Sequence, residues 1–212
     1  MAEGLDYSWS RPNISAMRET FVIRYLSQSG KGLSASEASQ LHAAGKDIGL
    51  VYESGATTAM GGWSAGVQDA HVANALANSL NVPSSVAIYF AIDWDVSVAQ
   101  LGAVQAYFNG VNSASSRPVG VYGSNRVVNS VSAKYFWCTY AWSGGAGPVG
   151  KAHLYQYEND ITLYGAQVDR DRSLQAAWGQ WYAHAPVSND LLAWAAANPA
   201  AFKQAVKAGL HG

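Results

Sequence analysis

The stretch VAIYFAIDWD, residues 86–95, decides how this chain is read. Its apolar residues run unbroken from Val86 to Ile92, mix β-branched with aromatic side chains, and end on an aspartate. A short continuous run of that kind is a strand buried on both faces, as in a parallel sheet covered by helices. Working outward, similar runs recur at 4–7, 21–26, 48–52, 119–122, 136–140 and 153–157, with a shorter one at 167–169. Helical patterns separate the first five. Residues 34–44 open with Ser34 and Glu37 at the spacing of a capping box and stop at Gly45. Residues 63–80 and 96–114 carry Ala-rich apolar stripes, and the segments 12–19 and 124–131 are shorter. After Val131 the strands follow one another with little room for helices, and 143–151, SGGAGPVGK, is a loop by composition. Eight strands, the first five followed by helices, predict an α/β fold: a TIM-like barrel of the (β/α)5β3 type. The barrel is expected over 1–185 as a single domain, with 186–212 a helical segment packed on or trailing it.

The composition narrows the function classes. With 49% hydrophobic and 13% charged residues, the 212-residue chain can bury a core and is not disordered. Thirteen Lys+Arg against fourteen Asp+Glu argue against nucleic acid as the main partner. A single cysteine, Cys138, excludes an internal disulfide framework and reads as a small buried residue. The five histidines lack metal-ligand spacing, and neither a Gly-x-Ser-x-Gly elbow nor a Walker sequence occurs, so neither metal nor cofactor is expected. No apolar stretch approaches the ~20 residues of a membrane span. The opening MAEGLDYSWSRPN has neither the basic nor the apolar region of a signal peptide. Oligomeric state is not legible.

In parallel α/β folds, ligands bind outside the carboxyl ends of the strands. Those ends carry Asp6, Arg24, Tyr52 with Glu53, Asp93 with Asp95, Tyr122, Tyr140, Gln156 with Tyr157, and Asp169. Carboxylates gathered at one end of an apolar barrel are expensive unless something uses them. Two apart on a strand, Asp93 and Asp95 would leave the same face about 6–7 Å apart. Such a pair titrates together, one carboxyl protonated and one ionised, which is what a glycosidase needs. The competing reading is that Asp95 caps the following helix. Trp9, Trp63, Trp94, Trp137, Trp142 and Tyr157 lie at or beyond strand ends, where rings either stack on sugars or fill a core. Arg24 is either a clamp on a substrate oxygen or a counter-ion for neighbouring carboxylates.

At this point a family resemblance emerges. GLDYSWSRPN (4–13), FVIRYLS (21–27), SASEASQLHAAGKDIGLVYE (34–53), YFAIDWDV (89–96), VGVYGSN (119–125) and YQYEND (155–160) resemble the DUF1906 or Rv2525c-like group. That group is described as a glycoside-hydrolase-like TIM barrel similar to the GH25 muramidases, or Chalaropsis-type lysozymes. The resemblance spans roughly Gly4 to Leu174 and implies the same (β/α)5β3 barrel. It assigns the first-strand aspartate to Asp6 and the Asp-x-Glu of the fourth strand to Asp93-Trp94-Asp95, with Asp95 in the general-acid position. It matches the Trp-Gln-Tyr and Val-Asp of the last strands to Tyr155-Gln156-Tyr157 and Val168-Asp169. Asp93 would orient or polarise a substrate acetamido group if neighbouring-group participation is used. Where GH25 enzymes have Glu, this chain has Asp95, one methylene shorter; Glu53, in the LVYE motif of the Rv2525c-like group, is the alternative acid from across the site.

The function expected is hydrolysis of a bacterial cell-wall glycan, either peptidoglycan or another wall polysaccharide such as arabinogalactan. Asp6, Asp93, Asp95 and Glu53 are the candidate catalytic carboxylates. Arg24, Tyr52, Trp94, Tyr122, Tyr140, Gln156, Tyr157 and Asp169 are the candidate substrate-binding residues. A phage lysin or virion-associated enzyme acting at the wall fits a chain without a secretion signal. The alternative is a barrel that binds wall glycan without cleaving it.

Overall fold

The computed structural model describes residues 1–183 together with Ala196, Pro199, Ala200 and Lys203. Apart from those four positions, the helical segment expected over 186–212 lies outside the described residues. Strands β1 (Glu3–Tyr7), β2 (Phe21–Tyr25), β3 (Asp47–Tyr52), β4 (Ile88–Ala91), β5 (Val119–Gly123), β6 (Tyr135–Thr139), β7 (Leu154–Leu163) and β8 (Ala166–Ser173) pair in chain order and close into a barrel. Helices α1 (Ala35–Ala43), α2 (Gly62–Ser79), α3 (Leu101–Ala114) and α4 (Asn125–Ser130) follow β2, β3, β4 and β5. Strands β1 to β7 are parallel, whereas β8 runs antiparallel to both β7 and β1. The expected eight-stranded α/β barrel is observed, with α-helices after β2 to β5 and only a 3₁₀ turn, Ile14–Ala16, between β1 and β2.

Three local expectations are corrected. The helix expected over 12–19 is a single 3₁₀ turn, Ile14–Ala16: the Asn13 side chain caps Ser15, and Met17 is already extended. Ser34 does cap α1, accepting from the Glu37 N–H at 3.1 Å, but the Glu37 carboxylate turns to Arg24 and Arg11 instead of closing a capping box. The last two strands run well beyond 153–157 and 167–169. They form a hairpin whose two-residue turn, Tyr164 (φ 53°) and Gly165 (φ 81°), takes the left-handed conformation that suits right-twisted strands. Past Tyr157 the hairpin is half wet, so its sequence, ENDITL, lacks the continuous apolar run of a buried strand.

The pleat sorts side chains between two cores. Phe21, Ile23, Val51, Tyr89, Tyr122, Trp137 and Leu154 fill the barrel, whereas Leu5, Val22, Leu50, Ile88, Phe90 and Val121 face the helices. An eight-stranded barrel has room inside for side chains and little else. Large rings therefore need small neighbours: a Cβ on Gly120 would overlap the Tyr89 ring. Trp178 plugs the amino-terminal end, 4.8 Å from the Phe21 ring, and its carbonyl accepts from the Tyr89 hydroxyl at 2.6 Å. Among the described residues no helix is long and apolar enough to cross a membrane.

On the outside, α2 and α3 touch backbone to backbone. A Cβ on Gly66 would fall on the Tyr107 carbonyl oxygen, and one on Gly110 on the Trp63 carbonyl oxygen. Gly110→Ala is therefore expected to destabilise the fold by about 1–3 kcal/mol despite alanine's better helix propensity. Urea denaturation would measure this, and unchanged or raised stability would refute the close crossing.

Candidate active site

The carboxyl ends of the strands surround a pocket of about 240 Å³. Asp6, Tyr25, Val51, Ala91, Asp93, Tyr122, Trp137, Trp142, Gln156, Asn159, Asp160 and Asp169 line it. A smaller recess of about 110 Å³ adjoins it, sharing Asp6, Tyr25, Asp160 and Asp169. A larger cleft, about 1010 Å³, lies outside the barrel wall between residues 11–15 and α1. Its charged groups, Arg11 and Glu37, are already paired with each other, so the acidic pocket is the better candidate.

Gln156 holds the pocket together. Its Oε1 accepts from the Tyr122 hydroxyl and the Thr139 hydroxyl, both at 2.8 Å. Its Nε2 donates to Asp6 Oδ2 at 2.8 Å and to Asp169 Oδ2 at 3.1 Å. All four polar positions of the carboxamide are thereby used, which fixes both its orientation and the two carboxylates it bridges. The register places Asp6 directly opposite Asp169 across the antiparallel β1–β8 pair. Like charges opposite one another on a sheet repel. Burial, with the neighbouring carboxylates, pushes Asp6 up to about 6 and Asp169 up to about 7. Beneath them Asp171 is wholly buried and accepts from Trp137 Nε1 at 2.9 Å. Asp93 closes the opposite wall, where its Oδ1 accepts from Trp142 Nε1 at 2.8 Å. Burial raises Asp93 as well, and the nearby Glu53 carboxylate adds to the effect. Among the described residues no three His, Cys, Asp or Glu side chains are gathered to hold a metal ion.

Of the expected residues, the pocket brings together Asp6, Asp93, Tyr122, Gln156 and Asp169. The others lie elsewhere. Strand β4 ends at Ala91, so the alternation that would put Asp93 and Asp95 on one face does not extend to them. Asp95 is 71% exposed and faces Arg126 at 3.5 Å, outside the pocket that Asp93 lines. It does not cap the next helix either; there Gln100 Oε1 accepts from the Ser97 N–H at 2.9 Å. Glu53 stands behind Asp93 in an ion pair with Lys31 at 3.1 Å. Arg24 and Tyr52 point outward, as their parity on β2 and β3 requires. Arg24 is fully buried against Glu37 at 2.7 Å, which makes it a counter-ion and not a substrate clamp. Tyr52 packs on Phe90, ring to ring at 6.0 Å. Trp94 packs against the outer core, and Tyr140 begins the next loop without reaching the pocket. Tyr157 faces out to Glu3, its hydroxyl donating at 2.7 Å.

Several residues of the pocket and of the layer beneath it went unread in the sequence. Tyr25 follows Phe21 and Ile23 on the inner face of β2, so a strict period of two marks it. Asn159, Asp160 and Asp171 lie beyond the expected ends of β7 and β8, where no apolar run signals a strand.

The profile of the Rv2525c-like, glycoside hydrolase-like domain matches residues 13–173. Rv2525c of Mycobacterium tuberculosis, named provisionally as a peptidoglycan hydrolase, is 33% identical over 179 residues, 76% of this chain and 74% of that protein. The crystal structure of that Tat-secreted protein with L-tartrate superposes with a TM-score of 0.77 at 30% identity, covering 85% of this chain and 98% of that one. The catalytic domain of endolysin ply40, from bacteriophage P40 of Listeria monocytogenes, shares the fold at 17% identity and a TM-score of 0.55, covering 83% and 94% of the two chains.

The raised carboxyls make stability depend on pH in a definite direction. In the unfolded chain Asp6, Asp93 and Asp169 lose their protons near pH ~4. The folded chain keeps them to higher pH, so the stabilisation is full below that range. It is lost as pH rises through about 6 for Asp6 and about 7 for Asp169. Acidification from pH ~8 to pH ~5 should therefore raise Tm by about 2–6 °C. Calorimetry across that interval checks this; a Tm that falls on acidification would contradict the buried cluster.

Proposed function

Because this chain belongs to the Rv2525c-like, glycoside hydrolase-like domain family, we propose that it hydrolyses a glycosidic bond of a bacterial cell-wall glycan. Peptidoglycan is the first substrate, given the activity for which the Mycobacterium tuberculosis relative is named. Arabinogalactan is the second. A phage lysin or virion-borne enzyme is one setting in which such a hydrolase meets the wall.

The observation that carries this reading is the placement of Asp93 and Asp169. They extend from β4 and β8, four places apart in a ring of eight, and so face each other across one pocket. The pocket has room for about one sugar ring, walled by Trp137, Trp142 and Tyr25. Glycoside hydrolysis needs one carboxyl that carries a proton and a second that meets developing positive charge. Asp169, raised to about 7, holds a proton near neutrality and donates it to the glycosidic oxygen as the bond to the anomeric carbon breaks. Asp93, fixed by Trp142, faces the oxocarbenium-like centre from the other side. A water then adds to that carbon and passes its proton to a pocket carboxylate. Asp6, tied to Asp169 through Gln156, keeps negative charge beneath the sugar. Asp95, salt-bridged outside the pocket, takes no part.

Release of reducing ends from separated peptidoglycan and arabinogalactan tests this. Asp93→Asn and Asp169→Asn should each lower release by about 10²–10⁴-fold, while Asp95→Asn stays within about threefold of the parent. Loss of release in Asp95→Asn alone would return the acid role to the exposed aspartate. No release from either polymer, with the protein still pelleting with walls, would favour a glycan-binding barrel.

A further inference from the structure

The pocket carboxylates rest on one the chemistry above does not use. Asp171 is 0% exposed, and its Oδ1 accepts from Trp137 Nε1 while no donor reaches Oδ2. Among the described residues it forms no ion pair. An ionised carboxylate in that position would be left with a bare buried oxygen and no compensating charge, so the neutral form is strongly favoured. One place below Asp169 on the inner face of β8, Asp171 lies diagonally across from Asp6, since Asp6 pairs with Asp169 and Gly4 with Asp171. Asp6 accepts from Gln156 through Oδ2 and retains capacity for a second donor.

We propose that Asp171 is a positioning residue: a permanently neutral carboxylic acid that donates from Oδ2 to Asp6, so that Asp6 remains the anion beneath the bound sugar. Every charged group facing it pushes the same way. Asp6 from β1 and Asp169 from β8 are both acidic, and β6 offers only the Trp137 N–H. The two acids, after burial itself, raise Asp171 well above the ordinary carboxylate range, and the Trp137 N–H opposes them only in part. The same contact lowers Asp6, opposing burial and the Asp93 charge, with Arg24 behind the wall helping. Without that donor, Asp6 and Asp169 would compete for one proton on equal terms. With it, the proton goes to Asp169.

The role of Asp6 beneath a sugar rests on the proposed hydrolase activity; the protonation of Asp171 does not. The experiment therefore reads carboxyl carbons by NMR on protein labelled with ¹³C-aspartate, without substrate, across pH ~5–9. One aspartyl carboxyl should stay protonated throughout and vanish in Asp171→Asn. In that variant the amide donates to Asp6 and its oxygen still accepts from Trp137, so Asp6 should titrate within about 0.5 unit of the parent. Asp171→Ala removes the donor and should raise Asp6 by about one unit or more. In wall digestion the acid limb of the pH–rate profile should follow the same split, kept by Asn and shifted by Ala. An ionised Asp171 at neutral pH, or identical Asp6 titration in both variants, overturns the proposal. Should the Ala variant not fold, the Asn spectrum alone still identifies or excludes the neutral carboxyl. Absent hydrolysis with the NMR result intact would sink the activity and leave the neutral Asp171 and its hydrogen bond to Asp6 standing.

Discussion

Strand β8 runs against both of its neighbours, and the pocket depends on that reversal. A parallel eighth strand would bring its residues to the rim in the same order as the other seven. Running the other way, β8 sets Asp169 opposite Asp6 and carries Asp171 one layer down into the barrel. Closure also leaves those side chains nowhere else to go, because alternate residues of a barrel strand must point inward. Three carboxyls thus meet at one seam. The fold can hold them only by sharing protons and by supplying donors.

Gln156 and two tryptophans are those donors. The Gln156 carboxamide joins β5, β6, β1 and β8 at one point, so the hydroxyls of Tyr122 and Thr139 and the carboxylates of Asp6 and Asp169 are held in a single network. Trp137 and Trp142 each give one N–H, to Asp171 and Asp93. Tyr122, Trp137 and Trp142 each line the pocket with a polar end in use, which is how aromatic side chains tolerate such a setting. Among the described residues no lysine or arginine enters the pocket lining, and Lys31 and Arg24 act from outside it. Lys31 pairs with Glu53, and Arg24 sits behind the wall with Glu37. Negative charge in a half-buried pocket with no cation in its lining is suited to stabilising a transient positive centre.

How much of this was legible can be argued residue by residue. The barrel was, because seven continuous apolar runs and their intervening helices leave few other architectures. Asp6 and Asp169 were, since each occupies a strand whose inner face is easily counted, and Asp93 was, since it lies just past the carboxyl end of β4. Arg24 and Tyr52 were misplaced by reading strand ends without parity: both lie one residue off the inward set of Ile23, Tyr25 and Val51. Asp95 was misplaced for the opposite reason. Parity was applied where the strand had already ended, and a loop obeys no such period.

The sequence by itself determined the barrel, the helices that follow β2 to β5 and the acidic character of its carboxyl-terminal rim, because periodicity and side-chain hydrophobicity are local properties. Only the tertiary structure decided which acids meet, which of them are buried without a cation, and that Asp171 belongs with Asp6. Those facts depend on strand direction and register between segments some 165 residues apart, Asp6 and Asp171, which no local pattern encodes.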